Sequence, residues 1–162
     1  MKKLILILAG LFVVLCSFSL SASPITRHDD PLVKELEARY AKFVDAARHG
    51  DMKTFRSLRT AAANKGIPPD ASGEQLKQMA DMMAPDLRGF KFMQVETNKN
   101  IARAAYKHQD KQGMSILVLM FEKDGAEWKI GNNHSQDYIG MVPKDAAALK
   151  EALGSPEVQF PK

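Results

Sequence analysis

The hydrophobic pattern of the chain changes its period near Pro85, and this change constrains the fold more than any other feature. Before it, apolar residues recur at three- and four-residue spacing, which is typical of helices. After it, apolar residues form short runs or alternate with polar ones, which is typical of strands. Helices grouped before strands favour an α+β domain over an α/β domain with a parallel sheet.

Three helices are predicted in the first part of the chain. Capping residues mark their starts, and Gly or Pro marks their ends. The third start is a capping box, formed by Ser72 and Gln75. The helices are predicted between Asp30 and Gly50, between Asp51 and Gly66, and between Ser72 and Pro85.

An antiparallel meander of four strands is predicted in the second part. The third strand, residues 115–121, is almost wholly apolar, which indicates burial on both faces. Asp124-Gly125 then forms the strongest hairpin signal in the chain. A short helix over residues 144–153 and a tail follow. The other strands are predicted over residues 90–97, 101–108 and 126–132.

The N-terminus is predicted to be a cleavable secretory signal. Lys2 and Lys3 precede an apolar run over residues 4–16, and small residues follow that run. The run is too short to cross a hydrocarbon core, which needs roughly 20 residues. Cleavage is expected to leave Ala22 or Ser23 as the first residue. An uncleaved signal-anchor stays open, because the apolar stretch reaches a marginal length if it continues to Leu20.

Cys16 raises the alternative of a lipoprotein, in which a cysteine ends the apolar run. The bulky Leu15 before it argues against lipoprotein processing. Cys16 is the only cysteine, so the mature chain holds none and has no disulfide framework.

The predicted organisation is a signal peptide over residues 1–22, a flexible leader over 23–30, a folded domain over 31–140, and a C-terminal helix and tail over 141–162. The signal carries away two lysines, so the net charge falls from +4 to +2. Because this charge is low, we expect no nucleic acid partner. Because cleavage removes the apolar run, we expect no stable membrane anchor afterwards. The expected location is the periplasm or the cell exterior.

Two stretches resemble the nuclear transport factor 2-like superfamily, which includes ketosteroid isomerases. Residues 50–58 place Gly-Asp before an apolar helix, and residues 121–130 place Asp-Gly before Trp-x-Ile. The resemblance spans roughly residues 31–135. It implies a cone-shaped domain, in which a curved sheet wraps the first helix and leaves a pocket at its open end. It also implies that a homodimer through the outer sheet face is possible.

Candidate pocket residues lie on the last predicted strand. Trp128, Asn132 and His134 share one face if the strand stays regular that far. Trp128 then faces the core, while Asn132 and His134 point toward the pocket mouth. The alternative interpretation is that residues 132–135 are a strand end and loop.

Further candidates lie on the second predicted strand and on the first helix. Tyr106 and His108 share a face, with small residues beside them that leave room for a ligand or for a closely packed helix. Tyr40 lies on the apolar face of the first helix, either as a hydrogen-bond donor in a pocket or as a core aromatic. Isomerase chemistry also needs a desolvated carboxylate, and no acid lies inside the two most apolar strands.

Metal and cofactor sites are not expected. No two of the four histidines are three or four residues apart, so no helical metal pair is predicted. Met79, Met82 and Met83 suit a soft metal, but methionines at helical spacing are typical core residues. No phosphate-binding loop or nucleophile motif is present in the sequence.

The functional hypothesis is a non-enzymatic exported binding or accessory domain. Its pocket would take a small apolar or amphipathic molecule, or its surface would dock an envelope protein. One alternative is a small isomerase-, dehydratase- or hydrolase-like enzyme that uses Tyr40 and His134. Another is a structural interaction module with an exposed apolar outer sheet face, formed by Leu117 and Leu119 or by Ile116 and Val118.

Overall fold

The computed structural model describes residues 23–140 and 144–155. The predicted signal, residues 1–22, and the tail after residue 155 lie outside the described residues. Helices precede an antiparallel sheet, as expected for an α+β fold. The elements are α1 (Pro31–His49), α2 (Met52–Ser57), α3 (Ala61–Asn64), α4 (Gly73–Gln78), α5 (Ala80–Met83), β1 (Lys91–Asn98), β2 (Ile101–Gln109), β3 (Gly113–Asp124), β4 (Glu127–Ile130), β5 (His134–Ile139) and α6 (Asp145–Leu153).

Helix α1 begins and ends at the predicted caps. The Asp30 carboxylate accepts a hydrogen bond from the Leu32 amide at 2.9 Å. Gly50 ends the helix in the left-handed conformation, with φ of 69°, which costs a glycine little. The apolar side chains of one face of α1 are buried in the inner core, to which this helix contributes seven buried residues.

The second predicted helix is interrupted, which corrects the sequence-based prediction. Between α2 and α3 the backbone runs extended and pairs with Ile130 of β4. The Thr60 amide donates to the Ile130 carbonyl at 2.9 Å, and the Ile130 amide donates to the Leu58 carbonyl at 2.8 Å. These hydrogen bonds pair backbone groups of Ile130 at the free edge of β4. They stabilise the chain more than the helical hydrogen bonds that a continuous helix would form there. The third predicted helix is also divided, at Met79.

The sheet has the order β1-β2-β3-β4, and β5 pairs with the other half of β3. Strand β5 is an addition to the predicted meander, whose last strand was expected to end at residue 132. Ile130 lies opposite Phe121, whereas His134 lies opposite Val118. Four residues on one strand therefore match three on the other. This one-residue bulge at residues 131–133 divides the last strand and turns its later side chains to the opposite face.

The two faces of the sheet pack against different helices. The inner face packs on the N-terminal helices and includes Leu117 and Leu119. The outer face, with Ile116 and Val118, is covered by α6. An exposed apolar outer face through either pair is therefore not found. Large side chains that are almost fully buried in the inner core include Tyr40, Phe43, Phe55, Phe121, Leu36 and Ile130.

The leader over residues 23–30 is attached to the domain, in contrast to the flexible segment expected. The amides of Ile25 and Val95 each donate to the other residue's carbonyl at 2.8 Å. Ile25 also packs against the inner core. Among the described residues, no helix is long and apolar enough to cross a membrane.

Candidate functional site

The inner face of the sheet packs against aromatic side chains of the N-terminal helices, and the candidate site lies beside them. Tyr40 and Phe43 from α1 and Phe55 from α2 belong to this inner core, and the Phe43 ring contacts the other two rings. Beside them, two adjoining hollows of about 270 and 350 Å³ lie between α1 and the segment 85–92. We call these together the α1 cleft. Its shared lining residues are Glu37, Ala41, Asp86 and Leu87.

Glu37 is the polar centre of the α1 cleft. Its Oε1 accepts a hydrogen bond from the Tyr106 hydroxyl at 3.2 Å and another from His28 Nε2 at 2.7 Å. Three separate segments, the leader, α1 and β2, thus meet on one oxygen. The Glu37 side chain keeps 23% of its surface exposed, so the carboxylate remains reachable from the cleft.

Tyr40 and Tyr106 are neutral hydrogen-bond donors in this site. The Tyr40 hydroxyl donates to the Pro85 carbonyl at 2.9 Å. Burial, and secondarily the charge of Asp86, raises the pKa of Tyr40 well above its usual range. Burial, then the charge and hydrogen bond of Glu37, raises the pKa of Tyr106 in the same direction. Neither hydroxyl ionises near neutral pH.

Asp86 holds the segment that forms the other wall. Its carboxylate accepts from the Arg88 amide and Nε, both at 2.8 Å, and from Arg48 at 2.7 Å. The hydrogen bond from the Arg88 amide, helped by the side chains of Arg88 and Arg48, holds the pKa of Asp86 below its usual range. Asp86 therefore stays charged and ties α1 to the start of the sheet.

The mouth of the cleft has an aromatic side. The His28 ring stacks on Phe92 with 5.2 Å between ring centroids, and Phe92 meets the edge of Tyr106 at 5.7 Å. Phe90 also lines this side. The site thus combines a flat apolar wall with carboxylate acceptors, an arrangement that suits an amphipathic molecule.

Trp128 and His108 lie away from this centre. Trp128 is buried in the inner core, and the Lys123 ammonium lies 5.4 Å from the centre of its ring. It is a packing residue of the hairpin. His108 donates from Nδ1 to the Gly89 carbonyl at 3.0 Å, and its ring lies 5.4 Å from that of Phe90. His108 therefore lies next to Phe90, at the end of the aromatic side, and does not line the α1 cleft.

Asn132 and His134 do not share a face, in contrast to the prediction, and neither lines the α1 cleft with Tyr40. Asn132 lines a different cleft, together with Arg59 and Met82. The bulge turns His134 to the outer side of the sheet, where its cross-strand neighbour is Val118. Tyr40 lies on the inner side. The sheet separates these two side chains, which removes the proposed catalytic pair of Tyr40 and His134.

Two site residues, Glu37 and His28, were missed by sequence analysis. Glu37 precedes Tyr40 by three residues on α1, so helical spacing alone places both side chains on neighbouring positions. His28 had no usable signal, because its contact with Glu37 depends on how the leader folds back along β1.

Metal-binding side chains do not gather in the described residues, where no group of three or more His, Cys, Asp or Glu forms a ligand set. That the protein takes no metal or cofactor stays a prediction.

The fold and the site together define an α+β domain whose sheet packs against helices on both faces. Its candidate cleft lies at the edge of the inner core. No family model matches the chain, and no curated protein matches it. Among solved structures, one match is a crystal structure described as an NTF-2 like protein of unknown function from Silicibacter pomeroyi DSS-3. It shares 16% identity with a TM-score of 0.41, over 66% of this chain and 96% of that chain. Similarity at this level transfers no function.

Proposed function

We propose that this chain is an exported, non-enzymatic binding domain and that the α1 cleft takes a small amphipathic molecule. One observation carries the proposal. The Glu37 carboxylate, fixed by Tyr106 and His28, opens into a cleft whose wall is formed by Phe92. An acceptor held in place beside an aromatic surface is the usual composition of a small-molecule site.

The chemistry of the cleft specifies the ligand class. A carboxylate offers about four acceptor positions, and Oε1 of Glu37 already receives two donors. Within residues 23–140 and 144–155, Oε2 accepts no hydrogen bond and is left for a ligand that donates one, such as an amine or a hydroxyl. Leu87, Phe90 and Phe92 supply the apolar surface for a flat body. Burial of that body supplies roughly 25 cal/mol per Å² of apolar surface.

A binding role accounts for the hydroxyl groups better than catalysis does. The Tyr40 proton is directed at the Pro85 carbonyl and the Tyr106 proton at Glu37. Neither is directed at the open part of the cleft. The enzymatic alternative gains one observation, because Glu37 is a sheltered carboxylate. Once a bound molecule is identified, turnover distinguishes the two roles. An enzyme converts that molecule and loses the conversion in Glu37→Gln, whereas a binding domain converts it in neither protein.

Export is the part of the proposal that depends on residues 1–22. The positive start, the apolar run and the small residues before Ala22 support it. The mass of the chain recovered from a periplasmic fraction tests it. A mature protein that begins at Ala22 or Ser23 is expected, and a full-length chain found only in the cytoplasm contradicts export.

A fluorescent arylamine tests the cleft directly. N-phenyl-1-naphthylamine has a flat apolar body and one N–H donor, and its emission rises in apolar surroundings. We expect saturable binding, with Kd raised about tenfold in Glu37→Leu, since a hydrogen bond to a charged group contributes about 1.5–3 kcal/mol. Glu35→Leu is the matched control, because Glu35 is exposed on the same helix. Equal affinity of the two variants for the arylamine would contradict the assignment of Glu37 as the ligand's hydrogen-bond acceptor.

A further inference from the structure

A second cleft, unrelated to the first, lies where the last strand is broken. It has a volume of about 440 Å³ and is lined by Phe43, Arg59, Met82, Met83 and residues 131–133. We call it the Arg59 cleft. It shares no lining residue with the α1 cleft, so the two sites can be tested separately.

Arg59 brings an uncompensated positive charge to this cleft. Its guanidinium donates to the Ala63 carbonyl at 2.5 Å and lies 5.2 Å from the centre of the Phe55 ring. Its Nε–H is buried and finds no acceptor within residues 23–140 and 144–155. No carboxylate in that same part of the chain forms an ion pair with it. Burial lowers the pKa of Arg59, which reflects the cost of holding this charge without a counterion.

The bulge surrounds this charge with uncharged amides. Asn132 and Asn133 lie where a regular strand would run on. The Oδ1 of Asn133 is buried and has no partner in the described part of the chain. Neither asparagine neutralises Arg59, and both offer donors to an anion.

Methionines form the outer rim of the Arg59 cleft. Met82 is 76% exposed, which is unusual for a large apolar side chain, and Met83 lies beside it on α5. Phe43 supplies the apolar floor. Methionine adapts to irregular apolar partners, so this rim suits a flexible chain better than a rigid ring.

We propose that the Arg59 cleft binds a small carboxylate that carries an apolar chain. The carboxylate pairs with the Arg59 guanidinium and accepts from the amides of Asn132 and Asn133. A planar guanidinium matches a carboxylate with two parallel hydrogen bonds. The apolar chain lies along Met82 and Met83. The proposal does not depend on the α1 cleft.

Three probes separate the charge from the chain. Octanoate carries both, acetate carries only the charge, and octanol carries only the chain. Calorimetric titration of the mature protein should show octanoate binding at least tenfold tighter than either of the others. The nuclear magnetic resonance signals of the Arg59 guanidinium should shift during the octanoate titration, because the bound carboxylate pairs with it. Octanol binding as tightly as octanoate would overturn the proposal.

Variants identify the residue that holds the charge. Arg59→Gln should weaken octanoate at least tenfold. Arg56→Gln is the matched control, because Arg56 lies one turn earlier and donates to the Pro68 carbonyl instead. If Arg59→Gln does not fold, the exposed Met82→Glu variant repels the carboxylate at the rim and should give the same loss, with Met82→Gln as its control. Unchanged octanoate affinity in Met82→Glu and in any folded Arg59→Gln protein contradicts the assignment.

Discussion

His134 lies opposite Val118 in the β3–β5 pair, in the place that Asn133 would occupy if the strand ran on unbroken from Ile130. The extra residue moves His134 from the inner side of the sheet to the side covered by α6. It also creates the irregular segment that borders the Arg59 cleft. One insertion therefore separates the predicted pocket residues and supplies a second candidate site.

A disulfide tests this register. The mature chain is expected to hold no cysteine, so Val118→Cys with His134→Cys should close one cross-strand bond on mild oxidation. The measurement is intact mass, which falls by two hydrogens. Val118→Cys with Asn133→Cys is the control and should stay reduced. If the control pair closes and the first pair does not, the strand has no bulge.

Gly73 is predicted to be intolerant of any side chain. A Cβ added there would lie 2.3 Å from the Gly50 carbonyl oxygen, which is backbone and cannot turn aside. We expect Gly73→Ala to lower the free energy of unfolding by about 1–3 kcal/mol in urea denaturation. Gly66→Ala is the control, because its Cβ meets nothing closer than 3.8 Å. Equal stability of the two variants would show that α1 and α4 do not approach this closely.

Arg103 is predicted to anchor the C-terminal helix to the sheet. It is 8% exposed, and it donates to the Leu153 carbonyl at 2.8 Å and to Glu96 at 2.6 Å. Arg103→Met should cost about 2 kcal/mol, because both partners lose a charged donor. Hydrogen exchange of α6 should rise at the same time. Lys107→Met, which breaks the more exposed pair with Asp145, should cost less than about 1 kcal/mol. A similar cost in both variants contradicts the anchoring role.

Alkaline pH is predicted to destabilise the domain through its buried tyrosines. The pKa of Tyr106 is raised in the folded state, whereas in the unfolded chain it lies near 10.0. Above that pH the unfolded chain releases a proton that the folded one retains. Stability is therefore full below about pH 10 and falls as the pH rises further, by up to about 1.4 kcal/mol per pH unit for each such tyrosine.

Tyr106→Phe should remove one tyrosine's share of that slope. Urea denaturation between pH 9 and pH 11 measures it. Tyr40→Phe should act in the same direction, because its hydroxyl is also buried. A slope that is unchanged in both variants would mean that neither hydroxyl is sheltered in the folded protein.

The fold was predictable from the sequence where a local signal fixed it. The caps at Asp30, Gly50 and Ser72 and the turn at Asp124-Gly125 define their elements without help from the rest of the chain. The break before Thr60 was not predictable, because it satisfies the edge of a strand some 70 residues later. The bulge was likewise hidden, since alternation up to Ile130 gives no warning that it stops.

The site was predictable only in part for the same reason. Tyr40 and Tyr106 line the α1 cleft, because apolar periodicity places them on inward faces; that they bind a ligand stays a prediction. The expectation for Asn132 and His134 depends on a strand parity that the bulge breaks. Glu37 was overlooked although it lies one turn from Tyr40. The position of His28 in the cleft depends on a pairing between the leader and β1, which no local sequence pattern predicts.

Native mass spectrometry of protein purified gently from the periplasm of a producing cell tests the central claim most directly. We predict that wild-type protein and Glu35→Leu retain an adduct of a few hundred daltons, on the order of a ligand that fills a small pocket. Glu37→Leu should lose it. The same spectra report the mature N-terminus and show whether a homodimer forms. Bare chain mass in the wild type, together with no arylamine binding, would contradict a ligand site in the α1 cleft.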